Sequence, residues 1–118
     1  MRPLEFALVC WLIACLIAGL LQIAAPRRIG ASSSWGIAVG WQREIALWNF
    51  ALCVGIFYAL LSRDEVCKLF VGRIIVVLSV LLGINHLASA LSARAPTHTM
   101  GIIANGLGFA LIVWGLLY

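Results

Sequence analysis

The chain has 118 residues, 64% of them apolar and 10% charged, with a mean hydropathy of +1.12. A soluble domain carries roughly 25% charged and 45–50% apolar residues, so the composition excludes one and points to a polytopic membrane protein of one domain. The formal charge of +4 comes from Arg and Lys scattered at the ends of apolar runs. With no basic tract or interleaved aromatic surface, nucleic acid is not an expected partner, and headgroup anchoring is the reading.

Taken in order, the first apolar run covers about 4–25 and ends at Pro26-Arg27-Arg28. It exceeds the 7–15 apolar residues of a signal-peptide core and no small-residue cleavage site follows it, so a permanent span is expected. The segment 26–40 comes next. Its second half, between Trp35 and Trp41, is apolar and reads as interfacial or partly re-entrant. The second run, about 41–61, ends at Ser62-Arg63-Asp64-Glu65, and the third, about 69–91, ends at Ser92-Ala93-Arg94-Ala95-Pro96. The fourth occupies about 97–118.

Each run approaches the 20 or so residues that cross a hydrocarbon core of about 30 Å. Backbone groups in lipid must be satisfied within the segment, which makes these spans helices. The short connections at 62–68 and 92–96 force antiparallel neighbours. The expected fold is therefore an all-α, four-helix antiparallel transmembrane bundle.

An even number of spans puts both termini on one side with the 62–68 loop. Arg2, Arg63, Lys68 and Arg73 there balance Arg27, Arg28, Arg43 and Arg94 on the other side, so the positive-inside rule separates the two orientations only through the N-terminal amine. Both termini are expected in the cytoplasm of a bacterial inner membrane. The balance also suits dual insertion and an antiparallel homo-oligomer.

Polar side chains are costly at membrane depth and raise a functional question wherever they cluster. Gln22, Asn49, Asn85, His86 and Asn105 all fall in the membrane half nearest the 26–43 and 92–98 loops, with Glu44 and His98 closer to the surface. The opposite half, with runs such as 74–78 and 111–117, is almost purely apolar. Such asymmetry predicts a polar cavity open to one face over an apolar plug. Asn49, Asn85, His86 and Asn105 are expected to form one connected cluster, with Glu44 and His98 as its wetter rim. Trp48 completes the candidate ligand-binding set as part of an aromatic mouth. On the fourth span, Gly101, Asn105, Gly108, Ile112 and Gly115 share a stripe on which another helix can pack closely.

His86 and His98 raise a haem or metal reading, but their depths differ and no third ligand completes a set, so no cofactor and no metal is expected. Cys10, Cys15, Cys53 and Cys67 contain no Cys-x-x-Cys pair and read as small buried hydrophobes. Glu44 beside Arg43 suits the first turn of a helix, where the helix dipole favours a carboxylate.

A Glu opening the second span, followed by Trp48 and Asn49, with Asn85-His86 late in the third, resembles small four-span bacterial membrane families, of which the DoxX-like proteins are one. The resemblance lies in size and span pattern and implies the four-helix bundle. It assigns no residue a role.

The leading functional expectation is a membrane protein that binds or transports a small molecule or lipid through this polar pocket. The rival is a non-catalytic accessory subunit of a larger membrane complex, docking through its small-residue seams. An enzyme acting on a lipid headgroup, with His86 or Glu44 as base, ranks third, because no nucleophile or metal set accompanies them.

Overall fold

Three of the five helices begin at a proline: α1 (Pro3–Ala24), α2 (Pro26–Ala31) and α5 (Pro96–Leu117). The N–H at that position has no intrahelical acceptor in any case, and the fixed φ of proline suits the first turn. Of the other two, α3 spans Val39–Leu61 and α4 spans Glu65–Ser92. The start of α4 is capped by Asp64, whose carboxylate accepts from the Val66 N–H at 2.9 Å. These elements come from a computed structural model that describes residues 1–118.

Four helices, α1, α3, α4 and α5, have 22 to 28 residues and are apolar enough to cross a membrane. At 1.5 Å per residue each exceeds the 30 Å or so of a hydrocarbon core. The chain is a multi-pass membrane protein built as an all-α bundle. Its span limits fall within a few residues of those expected, except that α4 begins at Glu65 rather than near 69. The short helix α2 was not foreseen. The apolar segment after it lies over the end of the bundle.

Packing divides the bundle into two pairs. Helix α1 runs along α3 and α4 runs along α5, while α1 also crosses α5; α3 and α4 touch little. Only 18 of the 118 residues are buried, so most apolar side chains, Leu20, Val54, Phe57, Val77 and Leu107 among them, face outward into what would be lipid. The buried apolar core of Leu4, Ala7, Leu8, Ile56, Ile75 and Ile112 sits in the half that holds the termini. There the two pairs close on each other.

An ion cluster ties down the same end. Lys68 is buried, with Nζ 2.8 Å from Glu5 and 3.2 Å from Glu65. The Arg2 guanidinium grips both Glu65 oxygens at 2.5 and 2.6 Å and reaches Glu5 at 2.7 Å. Hydrogen bonds to Glu65 and then Glu5 raise the Arg2 pKa above its ordinary value. The half expected to be almost purely apolar thus ends in four charges, contributed by Arg2 and the first turns of α1 and α4.

The small-residue stripe of α5 is consumed inside the chain. A Cβ on Gly115 would lie 2.9 Å from the Leu4 Cα, one on Gly108 would lie 2.6 Å from the Trp11 indole, and one on Gly101 would lie 2.5 Å from the His86 ring. Glycine here lets α1 and α4 approach the α5 backbone. The face offered to a foreign helix by the accessory-subunit reading is already occupied by the protein's own helices.

Candidate ligand-binding site

At the end away from the termini the two helix pairs separate, and the chain between α2 and α3 closes over the gap. This roof has a definite path. Ser32 Oγ donates to the Ile29 carbonyl or shares a proton with Thr97 Oγ1 at 2.6 Å, and the Thr97 N–H reaches the Ser32 carbonyl at 3.4 Å. Gly36 turns the chain with φ +82°, a backbone region that favours glycine. Gly30 lets that turn lie flat on α2, since a Cβ there would come within 2.9 Å of the Gly36 carbonyl oxygen.

Two histidines hold the roof down. Ser34 sits over His98, with its Oγ 2.6 Å and its N–H 3.3 Å from Nε2. A backbone N–H can only donate, so Nε2 of His98 is the accepting nitrogen and a neutral ring carries its proton on Nδ1. That nitrogen is 3.4 Å from Nδ1 of His86. The His86 nitrogen therefore accepts, which puts the His86 proton on Nε2, where no protein acceptor meets it. The Trp35 ring covers both imidazoles, at centroid distances of 5.2 Å to His86 and 4.7 Å to His98. Its Nε1–H donates to Ser89 Oγ at 3.0 Å. Ser34, Trp35 and Ser89 were not singled out in the sequence; three serines in a row carry no helical or strand period.

Under this roof lies a cavity of about 700 Å³ between the two pairs. Its polar lining is Gln22 from α1, Gln42 and Asn49 from α3, Asn85 and His86 from α4, and Ser33 and Thr97 at the rim. Asn49 donates to Gln22 Oε1 at 3.1 Å and to the Ile45 carbonyl at 3.1 Å. Gln42 is 4% exposed, and its Oε1 is buried with no hydrogen-bond partner. A buried carbonyl oxygen in that state costs about 1–3 kcal/mol. A second chamber of about 430 Å³ continues toward the membrane centre, lined by Trp11, Ala14, Cys15, Leu107 and Leu111 among others. Ala18, Asn49, Leu82 and Ala104 belong to both chambers and form the neck between them.

The expected residues divide unevenly. Asn49, Asn85 and His86 do line one cavity. They do not form the single hydrogen-bonded cluster expected with Asn105, because Asn49 pairs with Gln22 on α1 and His86 pairs with His98. Asn105 bonds back to the Gly101 carbonyl at 2.8 Å and borders the apolar chamber instead. His98 was expected at a wet rim and is fully buried, because the roof closes over it. Glu44 and Trp48 stand outside the cavity in a shallow groove with Leu47 and Ala51. Helix geometry explains this. At 100° per residue Gln42, Ile45 and Asn49 share one face of α3, while Glu44, Leu47, Trp48 and Ala51 share another. Gln42 stands two residues before Glu44 and was passed over; its i+7 spacing to Asn49 was the available signal.

No family model, curated protein or solved structure matches the chain. The functional reading therefore rests on the geometry of this site.

Proposed function

We propose that the protein binds an amphiphilic small molecule or lipid in the cavity between its two helix pairs. The polar end of the ligand lies beneath the 32–38 roof and its apolar part passes the Ala18–Ala104 neck into the chamber beside Trp11. The observation that carries this reading is the joining of a 700 Å³ chamber with mixed polar lining to a 430 Å³ apolar one. Ligand sites fall in the range of about 300–1,000 Å³ and combine apolar walls with a few convergent polar groups.

The test is mass spectrometry of the intact protein after extraction in mild detergent, followed by identification of what it releases. One amphiphile per chain is expected. Ala18→Phe and Ala104→Phe, which fill the neck, should abolish co-purification while the protein still extracts as a folded bundle. Retention of the same ligand by both filled variants, or its absence from the parent protein, would overturn the reading.

A further inference from the structure

Ser34, His98 and His86 form a chain of contacts in which an added proton always breaks a bond. We infer that this chain is an acid-sensitive latch: it holds the 32–38 roof over the cavity while both rings are neutral and releases it when they take up protons. The latch stands on its own geometry, and its effect on a ligand rests on the amphiphile reading.

Proton positions carry the argument. With both rings neutral, His98 accepts the Ser34 N–H on Nε2 and donates from Nδ1 to Nδ1 of His86. One further proton has no place that keeps both bonds. On His98 it occupies Nε2, so the Ser34 N–H loses its acceptor, although Ser34 Oγ, 2.6 Å away, can still accept. On His86 it occupies Nδ1 and faces the N–H of His98. A tautomer change in His98 relieves that clash only by moving its proton to Nε2, with the same loss at Ser34. A second proton sets two imidazolium rings N–H against N–H across the 3.4 Å contact.

The surroundings supply no counter-ion. All the ion pairs of the protein lie among Arg2, Glu5, Glu65 and Lys68, at the opposite end. The roof itself has no titratable side chain, and at this end α4 and α5 contribute only the two histidines. Arg27 and Arg28 on α2, Arg43 and Glu44 on α3 and Arg94 before α5 are exposed and pair with neither ring. Cys15 on α1 borders the apolar chamber, and Cys53 on α3 donates to the Leu12 carbonyl. Trp35 covers both imidazoles and attracts a cation through its face. One indole shared by two imidazolium rings does not remove their mutual repulsion.

His98 is fully buried beneath the roof. Lifting the roof gives the ring to water, where histidine side chains titrate near about pH 6.5. Protons therefore bind the open roof better than the closed one. Opening becomes easier as pH falls through that range and harder as it rises, by up to about tenfold per pH unit for each ring. Ser33 and Trp35 belong to the roof and also line the cavity, so a released roof takes part of the wall with it. The ligand should be held near neutral pH and let go in acid.

The experiment measures amide exchange of the full-length protein in phosphatidylcholine nanodiscs at about pH 8 and pH 5. Protection factors remove the intrinsic effect of pH on exchange. The Ser34 amide and its neighbours over 32–38 should lose at least tenfold in protection at the lower pH, while the helices around Ile56 and Ile75 keep theirs. His98→Gln keeps a carbonyl for Ser34 and an amide N–H for His86 but does not titrate. It should cut the loss at least threefold, and His86→Gln combined with His98→Gln should abolish it. Should the double variant fail to fold, the comparison of the parent with His98→Gln decides. Unchanged protection in the parent, or an equal loss in His98→Gln, would overturn the latch. A loss shared by the core around Ile56 and Ile75 would overturn it too, because acid would then be unfolding the bundle.

In a parallel arm, intact-protein mass spectrometry follows the co-purified amphiphile. Its occupancy should fall at pH 5 in the parent and fall less in His98→Gln. Equal retention at both pH values above a loosened roof would overturn the control of release and leave the latch standing. No amphiphile at either pH would remove the amphiphile reading and release with it, while the exchange result still decides the latch.

Discussion

His98 and His86 meet nitrogen to nitrogen, Nδ1 to Nδ1 at 3.4 Å, and this contact links the roof of the protein to its interior. On one side His98 is held by Ser34, in the loop after α2. On the other, His86 lines the cavity. The order Ser34, His98, His86 has one consistent set of proton positions when both rings are neutral, and it ends with the His86 proton on Nε2. The loop conformation and the tautomer of His86 are thus set by the same chain of bonds.

Breaking that chain should loosen the roof first. His98→Ala removes a fully buried ring, leaves Ser34 and His86 without their partner and is expected to lower stability by about 1–3 kcal/mol. The local signature is faster amide exchange over residues 32–38 and a red shift of Trp35 emission, because the indole loses one of its two ring contacts. Ser34→Ala should produce the same local signature with a smaller loss of global stability. Unchanged exchange in both variants would show that the roof is held by other contacts.

The glycines of α5 should differ in their tolerance of a methyl group according to what each one touches. Gly115→Ala meets the backbone of α1 at Leu4 and Pro3, which cannot swing aside, and a cost of about 1–3 kcal/mol from overpacking is expected. Gly108→Ala meets the edge of Trp11. That ring can rotate, at the expense of its 3.1 Å bond to the Gly108 carbonyl, so the loss should be smaller. Gly101→Ala should displace His86 from the His98 contact and reproduce the loose roof of His98→Ala. Gly106→Ala meets nothing within 4 Å and should be neutral or gain up to about 1 kcal/mol from helix propensity. Thermal unfolding in one detergent ranks all four.

At the other end of the bundle, Lys68 is buried between Glu5 and Glu65, whereas Arg2 and Glu65 are about half exposed. Lys68→Met should therefore lower the melting temperature more than Glu65→Gln does, since it leaves two carboxylates facing each other with a single cation. Added salt should weaken the contribution of the exposed Arg2–Glu65 pair and have less effect on Lys68. A melting-temperature order opposite to this one would show that the buried ammonium is not what joins α1 to α4.

Much of this architecture could be read from the residues, because length and hydropathy decide a transmembrane helix almost alone. The limits of the spans near Pro26, Ser62 and Pro96 followed from proline, from polar residues and from the dimension of a bilayer. The polar half and the apolar half were also legible, because depth along a helix is counted directly in residues. What one span cannot reveal is which way its face turns. Asn49 and Asn105 lie at similar depth, yet one turns to α1 and the other to its own backbone. The roof was illegible for a different reason. Ser34 reaches His98 across 64 residues, and Trp35 reaches Ser89 across 54. No local period encodes such pairs. The ion cluster, with partners 63 residues apart, escaped in the same way.

The orientation of α3 yields the sharpest comparison between expected and observed site residues. Glu44 and Trp48 had been grouped with Asn49 because they are close in sequence and suited to a polar mouth. In the structure Trp48 is 76% exposed, and with Glu44 it borders only the outer groove. Asn49 stands at the neck of the cavity. Glu44→Gln and Trp48→Ala should therefore leave the co-purified amphiphile at the parental stoichiometry, although Trp48→Ala removes an interfacial aromatic and can weaken membrane anchoring. Asn49→Leu should act differently. It removes the bond to Gln22 and replaces a polar group at the neck by an apolar one of similar size, so ligand occupancy should fall while the bundle still extracts folded. Asn49→Asp is the complementary test. It puts a charge where the lining has none, so ligand occupancy should fall while the half-buried carboxylate destabilises the protein. Intact-protein mass spectrometry reads the occupancy of all four variants in one preparation. Ligand loss in Glu44→Gln together with retention in Asn49→Leu would place the binding site in the outer groove and remove the cavity from the account.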